Sequence, residues 1–478
     1  MSTLFAGSES PKSASRSRTG FRLLNDLRYR RIATAVVSGG AARALSSLLT
    51  LFTLPLAVRY LGAERYGVWA TVVSVAIWVN LLDLGIAASL TNLISHAYAR
   101  HDETEAARAF SSALAVTLAA VGLAASFFVF LWSRVNWIAL FNASPSLETE
   151  VRLTVLIATL LTLANLPLNL AGKVFAGYQE LHTYNTTLGL RALSSIVGLV
   201  VGIWLRVSMP ALFLLSFGSV TAVGIATMLW LVFWHKPWLI PRVRLVTRAK
   251  TLDLLGSGWS FLLIQVAAMV VFSTDNIIVS HYLGAAEVTP YSVTWRVVSY
   301  GSALQVLVFP ALWPAYAEAH ARGDIPWIRR TFAIAMQTTI ALNAAWAAFL
   351  VVFGRVGIRL WAGPAAVPPR PLLLAMALWS VIAGFMTAES CLLAALNRTR
   401  LQAIVSVLAA AVNLALSIVL VTRIGSLGVI LGTIISYLLV LVVPQTIAVL
   451  KAVRNLEHGD QLCPAAPEAT SIDIEPIA

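Results

Sequence analysis

The chain has 478 residues, of which 59% are hydrophobic and only 12% are charged, and its mean hydropathy is +0.81. Soluble proteins carry about 25% charged residues, so this composition excludes a soluble globular protein and makes the lipid bilayer the main solvent. The net charge of +13 does not indicate nucleic-acid binding, because the basic residues flank apolar segments instead of forming a patch interleaved with aromatic residues.

The amino terminus begins with a polar and basic segment. Its first residues, MSTLFAGSESPKSASRSRTGFRLL, contain no apolar core followed by a small-residue cleavage site, so we do not expect a cleaved signal peptide. The overlapping basic stretch FRLLNDLRYRRI is amphipathic and is predicted to lie on an anionic membrane surface. We therefore predict a basic cytoplasmic tail over residues 1–32.

Twelve segments are candidates for membrane-spanning helices, which need about 20 mainly apolar residues. They cover residues 33–58, 66–90, 109–132, 153–173, 185–205, 208–234, 257–280, 288–314, 332–354, 371–396, 401–422 and 426–450. The loops between them are short, and no soluble domain is inserted. Roughly 22 of the 34 Lys and Arg fall on the side of the amino terminus, so the positive-inside rule places both termini in the cytoplasm.

A short motif occurs twice and divides the chain into two similar units. VRYLGAERYGVW, residues 58–69, resembles VSHYLGAAEVTPYSV, residues 279–293, and each follows the first span of a six-helix unit. Because each unit has an even number of helices, both run in the same direction, and the substrate path of such parallel repeats lies at their interface. The sequence thus predicts an all-α integral membrane protein with an N-lobe at 33–235, a basic cytoplasmic linker at 236–256, a C-lobe at 257–450 and a cytoplasmic tail at 451–478.

Residues 49–102 carry a further pattern, a YLG-x-x-x-YG turn followed by a helix that ends in DLG and, after a short interval, an asparagine. These residues are Tyr60, Leu61, Gly62, Tyr66, Gly67, Asp83, Leu84, Gly85 and Asn92. The segment resembles the opening of bacterial polysaccharide-export flippases, the Wzx-like branch of the multidrug/oligosaccharidyl-lipid/polysaccharide (MOP) exporter superfamily. The second copy of the motif departs from the pattern, with Pro290-Tyr291-Ser292 in place of Tyr66-Gly67.

The resemblance implies a V-shaped, MATE-like transporter with two six-helix lobes. Such proteins flip a polyprenyl-diphosphate-linked oligosaccharide from the cytoplasmic to the periplasmic leaflet of the inner membrane, for exopolysaccharide, capsule or O-antigen assembly. The resemblance further implies alternating access driven by a proton or Na⁺ gradient, with no cofactor. The partners that it implies are the lipid-linked oligosaccharide, membrane lipids, and polysaccharide polymerase and export machinery.

Three arginines lie inside predicted spans, where an ion costs at least ~2.5–3.5 kcal/mol. Arg43 in SGGAARALSS and Arg296 in SVTWRVVSYG have small or hydroxyl neighbours, which favours a helix face that lines a cavity. A guanidinium can hold two phosphate oxygens at once, so both are candidate diphosphate ligands. The alternatives are snorkelling of Arg43 to the membrane surface and a structural ion pair for Arg296. Arg191, at the start of a span, is expected to snorkel to lipid headgroups.

Two carboxyl groups are candidates for ion coupling. Asp275, in VVFSTDNIIVSHYLG, can take a proton or help to bind Na⁺ with the hydroxyl and amide side chains beside it. The alternative is a static salt bridge to Arg296, and a pair that breaks during transport would serve both purposes. Glu389, in GFMTAESCLL, is the second candidate, and its alternative is a packed carboxyl that is hydrogen-bonded to nearby hydroxyls.

The two YLGA turns lie on the side opposite the termini, where the residues that flank them are predicted to form a gate. These residues are Arg59, Glu64, His281 and Glu287. The alternative is ordinary polarity at the membrane interface. Gly62 and Gly284, within the turns, are expected to adopt backbone angles that other residues disfavour.

Three other functions are alternatives to transport of a lipid-linked oligosaccharide. A drug or metabolite exporter of the same superfamily would carry fewer cavity arginines, because its substrates are often cationic. A membrane polysaccharide polymerase or ligase would need a large outward loop, whereas the longest such loop, 133–152, has no His and no convincing catalytic cluster. A membrane scaffold would have no use for the buried charges.

The sequence also lacks the patterns of other chemistry. It contains no Gly-x-x-x-x-Gly-Lys-Ser/Thr loop, so we do not expect ATP hydrolysis. Its two cysteines, Cys391 and Cys463, form no disulfide framework and have no partners at metal-ligand spacing. We therefore predict a non-enzymatic transporter with no catalytic residue and no metal site.

Overall fold

A computed structural model describes residues 51–83, 85–132, 134–247, 250–251, 266, 269, 273–396 and 399–457. Within these ranges every regular element is a helix or a single helical turn. The all-α prediction is therefore confirmed. A helix satisfies its own backbone hydrogen bonds, which is what hydrocarbon requires of a spanning segment.

The first half of the described chain runs from residue 51 to residue 247. Helix α1 covers residues 51–79 and ends in a 3-10 turn, Asn80–Asp83. It is followed by α2 (Ile86–Ala99), α3 (Glu103–Trp132), the short α4 (Trp137–Phe141), α5 (Glu148–Gly177), α6 (Leu181–Trp204) and α7 (Met209–Trp230). A π turn, Leu231–His235, extends α7.

The second half runs from residue 273 to residue 457. It contains α8 (Asp275–Leu283), α9 (Ala285–Ser299), a 3-10 turn (Tyr300–Ser302), α10 (Ala303–Ala321), α11 (Ile325–Ala362), α12 (Arg370–Ala395), α13 (Thr399–Ile424) and α14 (Ser426–Ser436). A π turn, Tyr437–Val442, joins α14 to α15 (Val443–Glu457).

The two halves repeat the same order of elements at a constant spacing. Gly62 has a φ of 75°, and its counterpart Gly284 has a φ of 97°. The offset in residue number between these glycines also separates the start of α3 from that of α11, and the start of α5 from that of α12. Both glycines have a positive φ that side chains disfavour, so the repeated YLG motif marks equivalent positions in the two halves, although α1 continues through Gly62 whereas α8 ends at Leu283.

The segment that follows each turn is divided by a 3-10 turn, which corrects the predicted continuous spans 66–90 and 288–314. In the first half the break at Asn80–Asp83 leads to Gly85, whose φ is 74°. The Asp83 carboxylate accepts a hydrogen bond from the Ala87 amide at 3.2 Å and so orders the start of α2. In the second half the break contains Gly301. Hydropathy did not reveal these breaks, because apolar residues continue on both sides of each one.

Eight helical segments in the described part of the chain are long and apolar enough to cross a membrane. They correspond to the third to sixth and the ninth to twelfth predicted spans. Two of the other predicted spans, 66–90 and 288–314, are divided by the 3-10 turns, and the remaining two, 33–58 and 257–280, fall largely outside the described residues. The total of twelve therefore stays a prediction.

Large apolar side chains on the outside of the helices match a lipid environment. Leu123 is 76% exposed, Phe127 61%, Val352 67% and Leu439 68%. Exposed apolar area on this scale would associate in water, whereas in hydrocarbon it needs no cover. The interior of the protein is therefore the place to look for polar groups with a function.

A cluster of polar side chains holds the first half together at the end of α5. Glu180 accepts a hydrogen bond from Lys236 Nζ and pairs with His235 Nε2, each at 2.8 Å. The Lys236 ammonium also lies 3.9 Å from the centre of the Tyr178 ring. Partial burial acts to raise the pKa of Glu180, but the hydrogen bonds from Lys236 and His235 outweigh it and hold the pKa below its usual value.

Glu180→Gln should lower the thermal unfolding temperature of the purified protein at pH 7, because it weakens two charge-assisted contacts worth about 1–3 kcal/mol. The pKa of Glu180 is lower in the folded than in the unfolded protein, so its stabilisation is present above the unfolded pKa and is lost as the pH falls through the folded pKa. The difference between wild type and variant should therefore shrink when the pH is lowered below about 4.

Glu148→Gln provides the control, since the Glu148 side chain is 61% exposed and its contact with Arg152 is 3.7 Å long. Exposed pairs of this kind contribute about 0–1 kcal/mol, so its unfolding temperature should stay close to that of the wild type. An equal loss in both variants at pH 7 would contradict the assigned role of Glu180.

Candidate functional site

A cavity of about 480 Å³ lies where the two halves of the chain meet. Helices α1, α6 and α7 form its wall on the first half, and α8 and α9 form the wall on the second. Asp275 and Arg296 are the charged groups among the described residues that line it, and most of the other polar groups are hydroxyls. The predicted location of a site at the interface of the repeats agrees with this position.

One face of α9 supplies much of the second wall. Five of its residues line the cavity, Tyr291, Ser292, Trp295, Arg296 and Ser299. Their spacing of three to four residues places them on one side of a helix, which explains why they reach the same space. The sequence pointed to Arg296 on this face but not to Ser292 and Ser299, although their spacing of four and three residues from Arg296 was a usable signal.

The Arg296 side chain is exposed within the cleft and is not paired with a carboxylate in the part of the chain that the structure describes. It interacts electrostatically with the hydroxyls of Tyr66 and Tyr300. Neither hydroxyl neutralises a guanidinium, so the positive charge is available to a ligand that enters the cavity. A planar guanidinium suits an anion with two or more oxygens.

Asp275 begins α8 and is buried, with 4% of its surface exposed. Its Oδ2 accepts a hydrogen bond from the Tyr291 hydroxyl at 2.7 Å, while its Oδ1 has no partner among the described residues. The alternative of a static salt bridge to Arg296 is therefore not what the structure contains. The neighbouring Asn276 donates from Nδ2 to Ser74 Oγ at 2.9 Å, which ties α8 to α1.

Aromatic rings flank the polar groups of the cavity. Trp69 packs against Phe213, with 4.8 Å between ring centres, and is 9% exposed. Trp295 lies nearly parallel to Trp379 at 6.5 Å and is only partly buried. Trp295 therefore presents part of its ring to the cavity, beside the Arg296 guanidinium, whereas Trp69 is committed to packing.

The other candidates for substrate binding and ion coupling that the structure describes are not brought to this cavity. Glu389 lies in α12, is 2% exposed, and its Oε1 accepts a hydrogen bond from the Thr446 hydroxyl at 2.8 Å. This hydrogen bond matches the alternative to ion coupling for Glu389, a packed carboxyl group bonded to a nearby hydroxyl. Arg43 lies outside the described residues. Arg191 lies well inside α6 rather than at its start, and its guanidinium donates a hydrogen bond to Asn169.

The gate candidates lie at the end of the molecule that carries Gly62 and Gly284, here called the turn end. Arg59 donates to the carbonyl oxygen of Leu360, and His281 lies 3.4 Å from the carbonyl oxygen of Leu140. Arg59 and His281 occupy equivalent positions in the two repeats, so each half contacts the other through the same place in its motif. Glu64 instead accepts from the Ser144 amide within its own half.

Glu287, the fourth gate candidate, has an exposed side chain. No ion pair joins the four candidates within the described residues. The contacts that Arg59 and His281 make across the halves run instead from side chains to backbone carbonyl oxygens. Such contacts depend on backbone position more than on charge.

The helices on either side of the turn end approach each other very closely. A Cβ atom at Gly67 would lie 1.6 Å from the carbonyl oxygen of Ala285. In the reciprocal position, Thr289 donates from its hydroxyl to the carbonyl oxygen of Ala63. The glycine of the YLG-x-x-x-YG motif is therefore required by contact between the halves, a reason that the sequence did not reveal.

The two halves share an apolar core only toward the turn end, as far as the described residues extend. One buried cluster there combines Val58 and Phe141 of the first half with Ala285 and Ala362 of the second. At the opposite end, here called the open end, the cluster around Phe110 consists of first-half residues and a separate cluster around Ile328 consists of second-half residues. The cleft between the halves therefore opens toward the open end.

Comparison with known sequences gives related membrane proteins. A family model described as "Polysaccharide biosynthesis protein" matches residues 36–320. A protein of Salmonella typhi, named provisionally as an O-antigen transporter, is 23% identical over 339 residues, which cover 70% of this chain and 75% of the relative. The uncharacterised membrane protein EpsK of Bacillus subtilis is 24% identical over 407 residues, which cover 83% of this chain and 78% of the relative.

Solved structures share the fold. The inward-facing conformation of a multidrug resistance MATE family transporter of the MOP superfamily superimposes with a TM-score of 0.74 at 14% identity, covering 87% of this chain and 96% of that one. The predicted MATE-like architecture of a multi-pass membrane protein is therefore confirmed.

Gly67→Ala should force the turn end apart, because the added methyl group would overlap the Ala285 backbone, which cannot move aside as a flexible side chain could. Spin labels on Leu140 and Tyr282, both partly exposed and on opposite halves, should report a longer distance or a second distance population. Gly122→Ala is the matched control, since a Cβ there meets nothing within 4 Å. Identical distance distributions in the two variants would contradict the proposed contact.

Proposed function

Because the chain belongs to the polysaccharide biosynthesis protein family, and its fold is that of the MOP exporters, we propose that it flips a polyprenyl-diphosphate-linked oligosaccharide across the membrane by alternating access. The family and the transport names of the relatives confirm the prediction that the chain is a transporter and not an enzyme. The general function, transport of polysaccharide, follows from membership of the family. The lipid-linked substrate and its driving force are the proposal.

The observation that carries the proposal is the guanidinium of Arg296 in the cavity between the halves, without a carboxylate partner among the described residues. A charge at the centre of a bilayer costs several kcal/mol unless water or a partner compensates it. The diphosphate is the part of the substrate that hydrocarbon opposes most strongly. A cation in an open cleft compensates its charge, and a guanidinium does so with two parallel hydrogen bonds.

The neighbours of Arg296 suit the sugars that follow the diphosphate. The exposed part of the Trp295 ring offers an apolar face, and Ser292, Ser299 and Ser195 offer hydroxyls on facing helices. A volume of about 480 Å³ matches a small-molecule site and suits the diphosphate with the first sugars rather than a whole glycan. The rest of the glycan would extend through the open end, and the polyprenyl chain would stay in the lipid.

The charge distribution of the sequence assigns the two ends to the two sides of the inner membrane. The turn end would face the periplasm, and the open end, together with both termini, would face the cytoplasm. The described arrangement would then admit substrate from the cytoplasmic leaflet. Release on the other side would require the contacts between Gly67 and Ala285, and between Arg59 and Leu360, to separate.

Asp275 is the candidate for coupling to a proton or Na⁺ gradient. It is buried at the junction of the halves, it holds one hydrogen bond to Tyr291, and its second oxygen has no partner among the described residues. A carboxyl group in this position can exchange a proton or add a cation as the cleft changes shape. Glu389, buried within the second half and bonded to Thr446, is the weaker candidate.

A strain that lacks the protein should accumulate lipid-linked oligosaccharide that a periplasmic glycan-modifying probe cannot reach. Wild type should restore access, whereas Arg296→Ala should lower the rate by about tenfold or more, since a charge-assisted contact to an anion is lost. Arg296→Lys should restore part of the rate, because lysine keeps the positive charge but lacks the planar guanidinium that can bind two oxygens at once. Arg330→Ala, an exposed arginine on α11, serves as the matched control.

Other outcomes of the same experiment would replace the proposal. If the intermediate in the deletion strain is accessible from outside but not polymerised, a polymerase or ligase function follows. If the intermediate is unchanged and the strain becomes sensitive to cationic drugs, the chain is a drug exporter of the same superfamily. Full rescue by Arg296→Ala would keep the flippase function and remove Arg296 from its binding site.

Asp275→Asn should separate transport from its driving force. In proteoliposomes the variant should lose acceleration by an imposed proton or Na⁺ gradient, because an amide cannot release a proton or supply a full negative charge. Tyr291→Phe removes the hydrogen bond but keeps the carboxyl group, so it should retain gradient dependence with an altered pH profile. Equal gradient dependence in wild type and Asp275→Asn would exclude Asp275 as the coupling residue.

A further inference from the structure

A second cavity lies inside the first half, away from the junction with the second. It has a volume of about 250 Å³ and is formed by α5, α6 and α7. Lys173 and Arg191 are the charged residues in its described lining, and Asn169, Tyr184, Thr187 and Thr227 are polar. None of the described residues that line it is a carboxylate.

Neither cation is neutralised by an ion pair within the described residues. Arg191 donates one hydrogen bond to Asn169, which leaves most of its five donors unused. Lys173 interacts electrostatically with Asp83, but that carboxylate accepts from the Ala87 amide. Both cations line one small cavity that has no carboxylate in its described lining, so an anion bound there could interact with both.

Two glycines leave room for the side chains of Arg191 and Tyr184. A Cβ at Gly224 on α7 would lie 2.6 Å from Arg191 Nη2, and a Cβ at Gly172 on α5 would lie 2.6 Å from Tyr184 Cε2. The guanidinium therefore lies against bare backbone inside the helix bundle instead of extending to the lipid headgroups. Snorkelling, the role expected for Arg191 from the sequence, does not describe this position.

The second cavity and the central cavity lie along one face of α6. Tyr184, Thr187, Leu188 and Arg191 line the second cavity, and the same helical stripe continues as Ala192, Ser195, Ile196 and Leu199 in the central one. Thr187 and Ser195 are about two helical turns apart, roughly 12 Å along the axis. Because α6 begins at the open end, the second cavity lies between that end and Arg296.

We propose that Lys173 and Arg191 form a second anion site, which receives the diphosphate of the substrate before it reaches Arg296. The inference rests on the proposed function, since it assigns an order to two sites on one path. A pair of cations near the entrance raises the local concentration of an anionic ligand. Two sites in series also let the ligand leave each one, because neither has to hold it through the whole crossing.

The test counts bound diphosphates on the full-length protein in nanodiscs of neutral lipid, by native mass spectrometry with farnesyl diphosphate as the probe. Wild type should bind two molecules. The double variant Lys173→Gln/Arg191→Gln should keep the site at Arg296 and lose the other, with at least about tenfold weaker binding of the second molecule. Arg296→Gln should also leave one site, and the combination of all three substitutions should leave none.

Two variants and two competing ligands serve as controls for the chemistry of the site. Arg191→Lys keeps the charge and should keep a second, weakened site, which separates charge from loss of fold. Arg330→Gln removes an exposed cation of the same kind and should leave both sites. Farnesol, which has the same chain without phosphate, should occupy neither site, whereas inorganic diphosphate should displace the probe from both.

The possible results separate this inference from the proposed function. A double variant that still binds two molecules with wild-type affinity would overturn the second site while leaving the flippase proposal untouched. The second site would also be overturned if the wild type bound a single molecule, and if this molecule were lost in Arg296→Gln but kept in the double variant. Displacement of the second molecule by phosphatidylglycerol, but not by inorganic diphosphate, would make the cavity a lipid headgroup site and overturn its role on the substrate path. No binding by the wild type at either site would count against both proposals.

Discussion

The contact between Gly67 and the Ala285 backbone determines how the two halves of this protein can be arranged. No side chain separates the helices there, so the halves meet backbone to backbone, and the Thr289 hydroxyl bonds to Ala63 at the equivalent position. A shared apolar core surrounds this crossing, whereas the cores at the other end belong to one half each. Within the described residues, the cleft, its direction of opening and the position of the central cavity all follow from contact between the halves at the turn end.

The two charged groups that line the cleft do not neutralise each other in the described structure. Asp275 has Tyr291 as its partner and is buried, while Arg296 faces the open space without a carboxylate among the described residues. Had these two formed a salt bridge, the carboxylate would neutralise the Arg296 guanidinium, which would then offer little to an anion. Separation of the pair leaves the guanidinium for the proposed anionic substrate and the carboxyl group for the proposed coupling ion. Such a division is economical in a bilayer, where each unpaired charge has to be compensated by water or by the cargo.

The first half adds a second set of cations that the sequence did not connect. Lys173 and Arg191 belong to different helices, and only the packing of α5 against α6 places them in one cavity. Gly172 and Gly224 leave space for the side chains of Tyr184 and Arg191 because they have no side chains of their own. The pattern of charges in the sequence does not predict this contribution. Polar and cationic groups therefore line α6 at two levels, in the second cavity and in the central one.

The sequence by itself determined the class of the protein, its spanning character and its division into two repeats, because hydropathy, charge placement and the YLG motif are all local patterns. It also identified Arg296 and Asp275 as charges inside apolar segments. Only the tertiary structure decided that Asp275 pairs with Tyr291, that Glu389 lies away from the cavity, and that the second predicted span of each half is broken, at Asn80–Asp83 and at Tyr300–Ser302. The physical reason is that a side chain's partner depends on which helix face meets which neighbour. That choice is made by close packing between segments that are far apart in the chain, as at Gly67 and Ala285.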